Sequence, residues 1–175
     1  MSQKLKGLKD GAARSGHPDA AAADVSELRA LQQTLEDKDD AYWAGQVEVQ
    51  YGAATAWVMF AQGRTEDALT FMRAAADLED ASKKHISMEN RLIPMRELLG
   101  DMLLEAGKPT EALVEYETSL KNAPNRFRSY YGAAKAAQAA GDAGTATAYF
   151  QKLVSLAAGG EGARVEVVEA KEALG

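Results

Sequence analysis

Gly107, Ala112 and Tyr116 recur 34 residues later as Gly141, Ala146 and Phe150 in "AGKPTEALVEYETSLKNAPNRFRSYYGAAKAAQAAGDAGTATAYF". One phrase is said twice: glycine, four residues, alanine, three residues, aromatic. A period of that length leaves few folds open, because each copy must be a small unit that cannot bury its apolar face alone. The phrase also fits Gly63, Ala68 and Met72, and more loosely Gly16, Ala21 and Val25. Between the earlier copies the alanines lie 44 and 47 residues apart, so about ten or more extra residues are inserted twice into a 34-residue unit.

Helix geometry explains the phrase. Each glycine stands where one helical pattern stops and polar residues follow, the place for a C-terminal cap with positive φ. The alanine falls in the next helix, four residues before the aromatic, so the two share a face. A small residue there lets the preceding helix approach, and the aromatic covers the contact. The expected unit is a helix–turn–helix pair that stacks on its neighbours. Few prolines and many alanines favour helix over sheet throughout.

Composition narrows the function. A net charge of −6 argues against a general nucleic-acid or anionic-membrane binder, which would want a basic face. The absence of cysteine removes disulfide scaffolds, thiolate metal sites and thiol nucleophiles together. "MSQKLKGLKDGAARSGHPD" has no apolar core of the kind a signal peptide carries, and no stretch approaches eighteen uninterrupted apolar residues. The chain therefore reads as soluble and cytoplasmic. It opens inside a repeat-like helix, as expected of a chain that descends from, or is cut from, a longer protein.

The unit from Ile93 to Arg126 resembles the tetratricopeptide repeat family, matching its pattern at Leu99, Gly100, Leu103, Ala112, Tyr116 and Pro124. It departs at Arg96, where the pattern has tryptophan, and at Ser119, where it has alanine. The next unit, from Phe127 to about residue 160, matches at Tyr130, Ala146 and Phe150, with Ala134 in place of glycine and Ala158 in place of proline. Weaker units cover residues 39–80, with a first helix starting early near Asp39, and residues 2–37. Residues 161–174 read as an amphipathic capping helix, and residues 81–92 as an insertion. The stretch bearing "AADLEDA" and "ELLGDMLLE" also resembles a group of uncharacterised bacterial repeat proteins, a likeness that implies no reaction. The expected architecture is an all-α, right-handed solenoid of about four helix pairs in a single domain.

The resemblance also implies where a partner would bind, in a groove lined by the first helix of each unit. Carried over place by place, the groove positions are Lys6, Asp10 and Arg14 in the first unit and Trp57 and Phe60 in the second. They are Glu97, Asp101 and Glu105 in the third, and Arg128, Tyr131, Lys135 and Gln138 in the fourth. On a helix the first acidic set forms a ladder, and Arg128, Tyr131 and Lys135 form a mixed one. Trp57, Phe60 and Tyr131 are expected as apolar anchors, Arg128 and Lys135 as partners for acidic groups, and Glu97 and Asp101 for basic ones. The plainer alternative is a solvated polar face with ion pairs between repeats. Some family members clamp a C-terminal carboxylate, but Asp10 stands where that clamp has asparagine, and the acidic ladder would repel such a ligand.

Nothing in the sequence supports catalysis or a cofactor. His17 and His85 have no acidic ligand pattern beside them, and "EDKDD" lacks the glycine and spacing of a calcium loop. That acidic run is expected to end one helix and supply the start of the next. No nucleophile elbow, P-loop or dinucleotide turn is present. Lys83, Lys84, His85 and Arg91 make the insertion locally basic, either as a partner contact or as an extended helix and loop. The reading is a non-catalytic scaffold for a protein or peptide, without metal, nucleic acid or membrane. Self-association through Tyr42 and Trp43, and a role as the accessory end of a larger enzyme, are the alternatives.

Overall fold

The computed structural model describes residues 18–82, 93–158 and 164–175, all helices and turns. Eight helices run through them: α1 Pro18–Glu36, α2 Ala41–Ala61, α3 Thr65–Ala81, α4 Met95–Glu105, α5 Pro109–Asn122, α6 Phe127–Ala139, α7 Ala143–Ala157 and α8 Val165–Leu174. Lys6, Asp10 and Arg14, and the insertion residues Lys83, Lys84, His85 and Arg91, lie outside the described residues. The chain divides into two compact units, the first ending at Met95 and the second running Arg96–Gly175.

Three turns inside helix pairs are closed in the same way. Gly63, Gly107 and Gly141 hold φ of +78°, +71° and +80°. The residue after each glycine donates its N–H five residues back: Arg64 to Met59 at 3.0 Å, Lys108 to Leu103 at 2.9 Å and Asp142 to Ala137 at 2.9 Å. The left-handed glycine thereby satisfies carbonyls that the helix end would otherwise strand. Asp39, at φ +56°, closes the turn between α1 and α2 with the same bond, from Asp40 N–H to Leu35 at 3.0 Å. Short polar side chains tolerate this region better than most, and Asn125 uses it between α5 and α6.

The acidic run does end α1 and begin α2. Asp40 caps α2, its carboxylate accepting from the Trp43 N–H at 3.3 Å. Part of the extra length before Gly63 goes into α2 itself, which is 21 residues long against 11 for α4 and 13 for α6. Asp142 caps α7 in the same manner, accepting from the Thr145 N–H at 3.0 Å. That N–H, joined by the Thr145 hydroxyl, holds the Asp142 carboxyl below its ordinary value. A depressed folded pKa contributes stability above the unfolded value, about 3.9, and loses it as pH falls through the folded one. Asp142→Ala is therefore expected to melt below the parent at pH 7, and the gap should narrow as pH falls below the ordinary carboxylate value of about 3.9. Thermal melts by circular dichroism at pH 7 and at a series of acidic pH values decide it; a gap independent of pH would contradict the charged cap.

The phrase residues are core. Ala68, Ala112 and Ala146, with Met72, Tyr116 and Phe150, are all buried. In the second unit, Ala134, Ala137, Ala146, Phe150, Leu153 and Ala170 form one apolar cluster that ties α6, α7 and α8 together. Helix α6 is nearly all small on its inner side, with Gly132, Ala133, Ala134, Ala136 and Ala137 buried. The Tyr116 ring from α5 fills the space these residues leave. A β-carbon on Gly100 of α4 would lie 2.7 Å from that ring, and one on Gly132 of α6 only 2.3 Å. Two glycines thus make a slot for one tyrosine.

Candidate binding face on the first helices

In the second unit the first helices present their expected groove positions through α4 and α6. Glu97 does not stand in solvent as the acidic ladder implied. It is fully buried, and its carboxylate accepts from Arg126 Nε at 2.8 Å and Arg126 Nη2 at 3.2 Å. Ser129 also donates its hydroxyl to Glu97. Since a carboxylate only accepts, the Ser119 hydroxyl, 3.0 Å from that of Ser129, is left to donate to it. The serine at the family's alanine place is thus the far end of a buried chain from Ser119 through Ser129 to Glu97. The arginine fork satisfies both carboxylate oxygens, which is what makes burial of that charge tolerable.

Asp101, one turn on, is also engaged. It accepts from the Tyr116 hydroxyl at 2.6 Å and from Arg128. Burial and the Asp101 carboxylate together push the Tyr116 phenol far above its ordinary range. Burial alone would lower Arg128, but Asp101 beside it outweighs that and holds the guanidinium above its ordinary value. Glu97 and Asp101 are therefore occupied by arginines at the start of α6, Arg126 just before it and Arg128 in its first turn. Of the acidic set only Glu105 stands exposed. At Arg96 the departure from tryptophan has a simple outcome, an ion pair to Glu115 at 2.9 Å.

The mixed ladder on α6 keeps solvent access. The Arg128 and Lys135 side chains are each 42% exposed, Tyr131 is half-buried between them, and Gln138 is exposed. A helix already lies over part of this run. Glu169 of α8 accepts from the Tyr131 hydroxyl at 2.5 Å, and its carboxylate is 3.7 Å from Lys135 Nζ. Burial first, then the Glu169 hydrogen bond, pushes the Tyr131 phenol up to about 12.

In the first unit Trp57 is buried and not the exposed anchor expected. Its ring meets that of Phe60 edge-on, with centroids 5.7 Å apart, and Phe60 keeps partial exposure. Helix α2 carries apolar residues nearly all round, so its spacing alone does not separate an anchor from core.

A feature absent from the sequence reading lies among α5, α6 and α7. An open cleft of about 660 Å³ is lined by Leu120, Tyr130 and Tyr149 and flanked by Lys121 and Lys152. The Tyr149 hydroxyl donates to Glu117 at 2.8 Å, and burial followed by that bond pushes the phenol up to about 12. Leu120, Lys121, Tyr149 and Lys152 come from two second helices and Tyr130 from the first helix α6, so periodicity alone says nothing of a cleft. Among the described residues no group of three His, Cys, Asp or Glu side chains is placed to hold a metal ion. No helix among them is long and apolar enough to cross a membrane.

No family model matches the chain. No curated protein matches its sequence. In structure the chain is similar to PcrH from Pseudomonas aeruginosa, at 19% identity and a TM-score of 0.55, over 72% of this chain and 88% of that one. At that identity the likeness speaks to the fold, which is an all-α, tetratricopeptide-like helical repeat.

Proposed function

We propose that this protein is a non-catalytic scaffold that captures a protein or peptide segment on the first-helix face of its repeats. The observation that carries this reading is the run Arg128, Tyr131 and Lys135 on α6. It sets Lys135, 42% exposed, beside the half-buried Tyr131 phenol, with Arg128 equally exposed at the end of the run but already paired with Asp101. Arginine and tyrosine set in a rigid frame are the side chains that most often carry binding energy. With Glu97 and Asp101 spent on internal arginines, this run favours acidic groups on the partner. Phe60, backed by buried Trp57, supplies an apolar contact in the first unit.

The reading is tested with a partner recovered by crosslinking from the native host and then purified. Lys135→Glu is expected to weaken that partner by about tenfold in isothermal titration, since reversing a charge turns an attraction into a repulsion. Parent affinity should also fall as salt rises from 50 to about 300 mM, because exposed charges are screened. Unchanged affinity in Lys135→Glu, with its fold intact by circular dichroism, would overturn the reading.

A further inference from the structure

The C-terminal helix already shows what the α6 face accepts. Helix α8 is joined to its neighbours by a short list of contacts. Ala170 is its one fully buried residue, Leu174 packs at the edge of the apolar cluster, and Arg164 just before it lies over the Phe127 ring at 4.7 Å. Against α6 it sets a carboxylate, Glu169, on both Tyr131 and Lys135. Glu166, one turn earlier, also acts on the Tyr131 phenol through its charge. The opposite side of α8 is unfavourably placed for a settled helix, with Val165 68% exposed and Val168 43%. Ten residues are too few for a helix to persist in water without its docking contacts.

We infer that α8 is an occupant in cis of the α6 binding face, and that the partner is an acidic amphipathic helix that displaces it. This rests on the binding reading above and adds the partner's chemistry. The template is read from α8 itself: two carboxylates three residues apart, then a small residue, then an apolar residue four further on, as Glu166, Glu169, Ala170 and Leu174 stand. The two carboxylates would meet Tyr131 and Lys135, the small residue allows close approach to α6 and α7, and the apolar residue closes on the cluster. On the described first-helix face of this unit the set is Tyr131 and Lys135, since Arg128 is held by Asp101. Binding in trans then competes with docking in cis, and apparent affinity falls by the fraction of molecules whose face is open.

The test uses the full chain and a fluorescein-labelled peptide of the α8 sequence, "RVEVVEAKEALG", read by anisotropy. Ala170→Asp puts a charge where Ala170 is fully buried and should release α8, seen as faster amide hydrogen exchange over residues 165–174. It is expected to bind the peptide about tenfold more tightly than the parent, as for an α8 docked roughly nine-tenths of the time. Adding Lys135→Glu should abolish the gain. A peptide with glutamine in place of Glu166 and Glu169 should bind neither protein. Glu169→Gln leaves the packing of α8 intact and loosens only its charge contact, so it decides the matter should Ala170→Asp unfold. A gain of about threefold is expected from it. No gain in the released variant, or equal binding of the glutamine peptide, overturns the inference. If the natural partner still depends on Lys135 while α8 release changes nothing, displacement fails and the binding reading stands.

Discussion

Gly132→Ala is expected to destabilise the protein by roughly 3 kcal/mol, the opposite sign to the same change on an open helix. Alanine in a helix interior is ordinarily favoured over glycine by about 1 kcal/mol, because glycine gives up more backbone entropy on folding. Here the added carbon would stand 2.3 Å from the Tyr116 ring, well inside contact distance. The ring has nowhere to go. Tyr116 is 1% exposed, faces Gly100 of α4 as well, and is fixed at its far end by the 2.6 Å bond to Asp101. Urea titration followed by circular dichroism measures the change, with an unaltered slope marking it as a stability effect. Tyr116→Leu removes the obstacle, so the double variant should be less destabilised than the sum of the two single ones. Additive losses would show that the ring and the glycine do not share one slot.

The second large effect is at Glu97. Glu97→Ala is expected to cost about 3–5 kcal/mol, since removing one member of a buried ion pair leaves the rest without compensation. The guanidinium of Arg126 loses its fork, and the buried hydroxyls of Ser129 and Ser119 lose the acceptor at the end of their chain. Glu97→Gln should fall between the two, because its carbonyl still accepts while its amide turns donors toward a cation. Chemical unfolding again reads the difference. A loss below about 1 kcal/mol for the alanine variant would mean that Glu97 is solvated and that the arginines are held by something else.

The parts of the fold that follow from local rules were legible in the sequence. Gly63, Gly107 and Gly141 announce themselves, because a left-handed turn at a helix end has few other residues to use. The alanine and the aromatic that follow are tied to those glycines by fixed helical spacing. The turn in the acidic run was expected as well, but not that Asp39 would be its left-handed residue, since aspartate takes that conformation only now and then. Gly132 was hidden for another reason: it lies two residues before Ala134, the place where the repeat pattern has glycine. The site was less legible than the fold. Glu97, Asp101 and Glu105 are four residues apart whether they face water or arginines, and Arg126 sits in a turn where no periodicity points to Glu97. Likewise the tail reads as a polar helix from its own sequence, while its contact with Tyr131 spans 38 residues and depends on tertiary packing alone.

The arginine fork has a consequence for how the second unit is made. Glu97 leaves the ribosome 29 residues ahead of Arg126, the cation that neutralises it. Through that interval α4 and α5 can meet, yet the Glu97 carboxylate has none of its partners at the start of α6 and must stay wet. The pair becomes dry only when α6 arrives. The α4–α5 repeat is thus held open during synthesis until α6 closes it, which couples these two repeats of the second unit into one cooperative folding step.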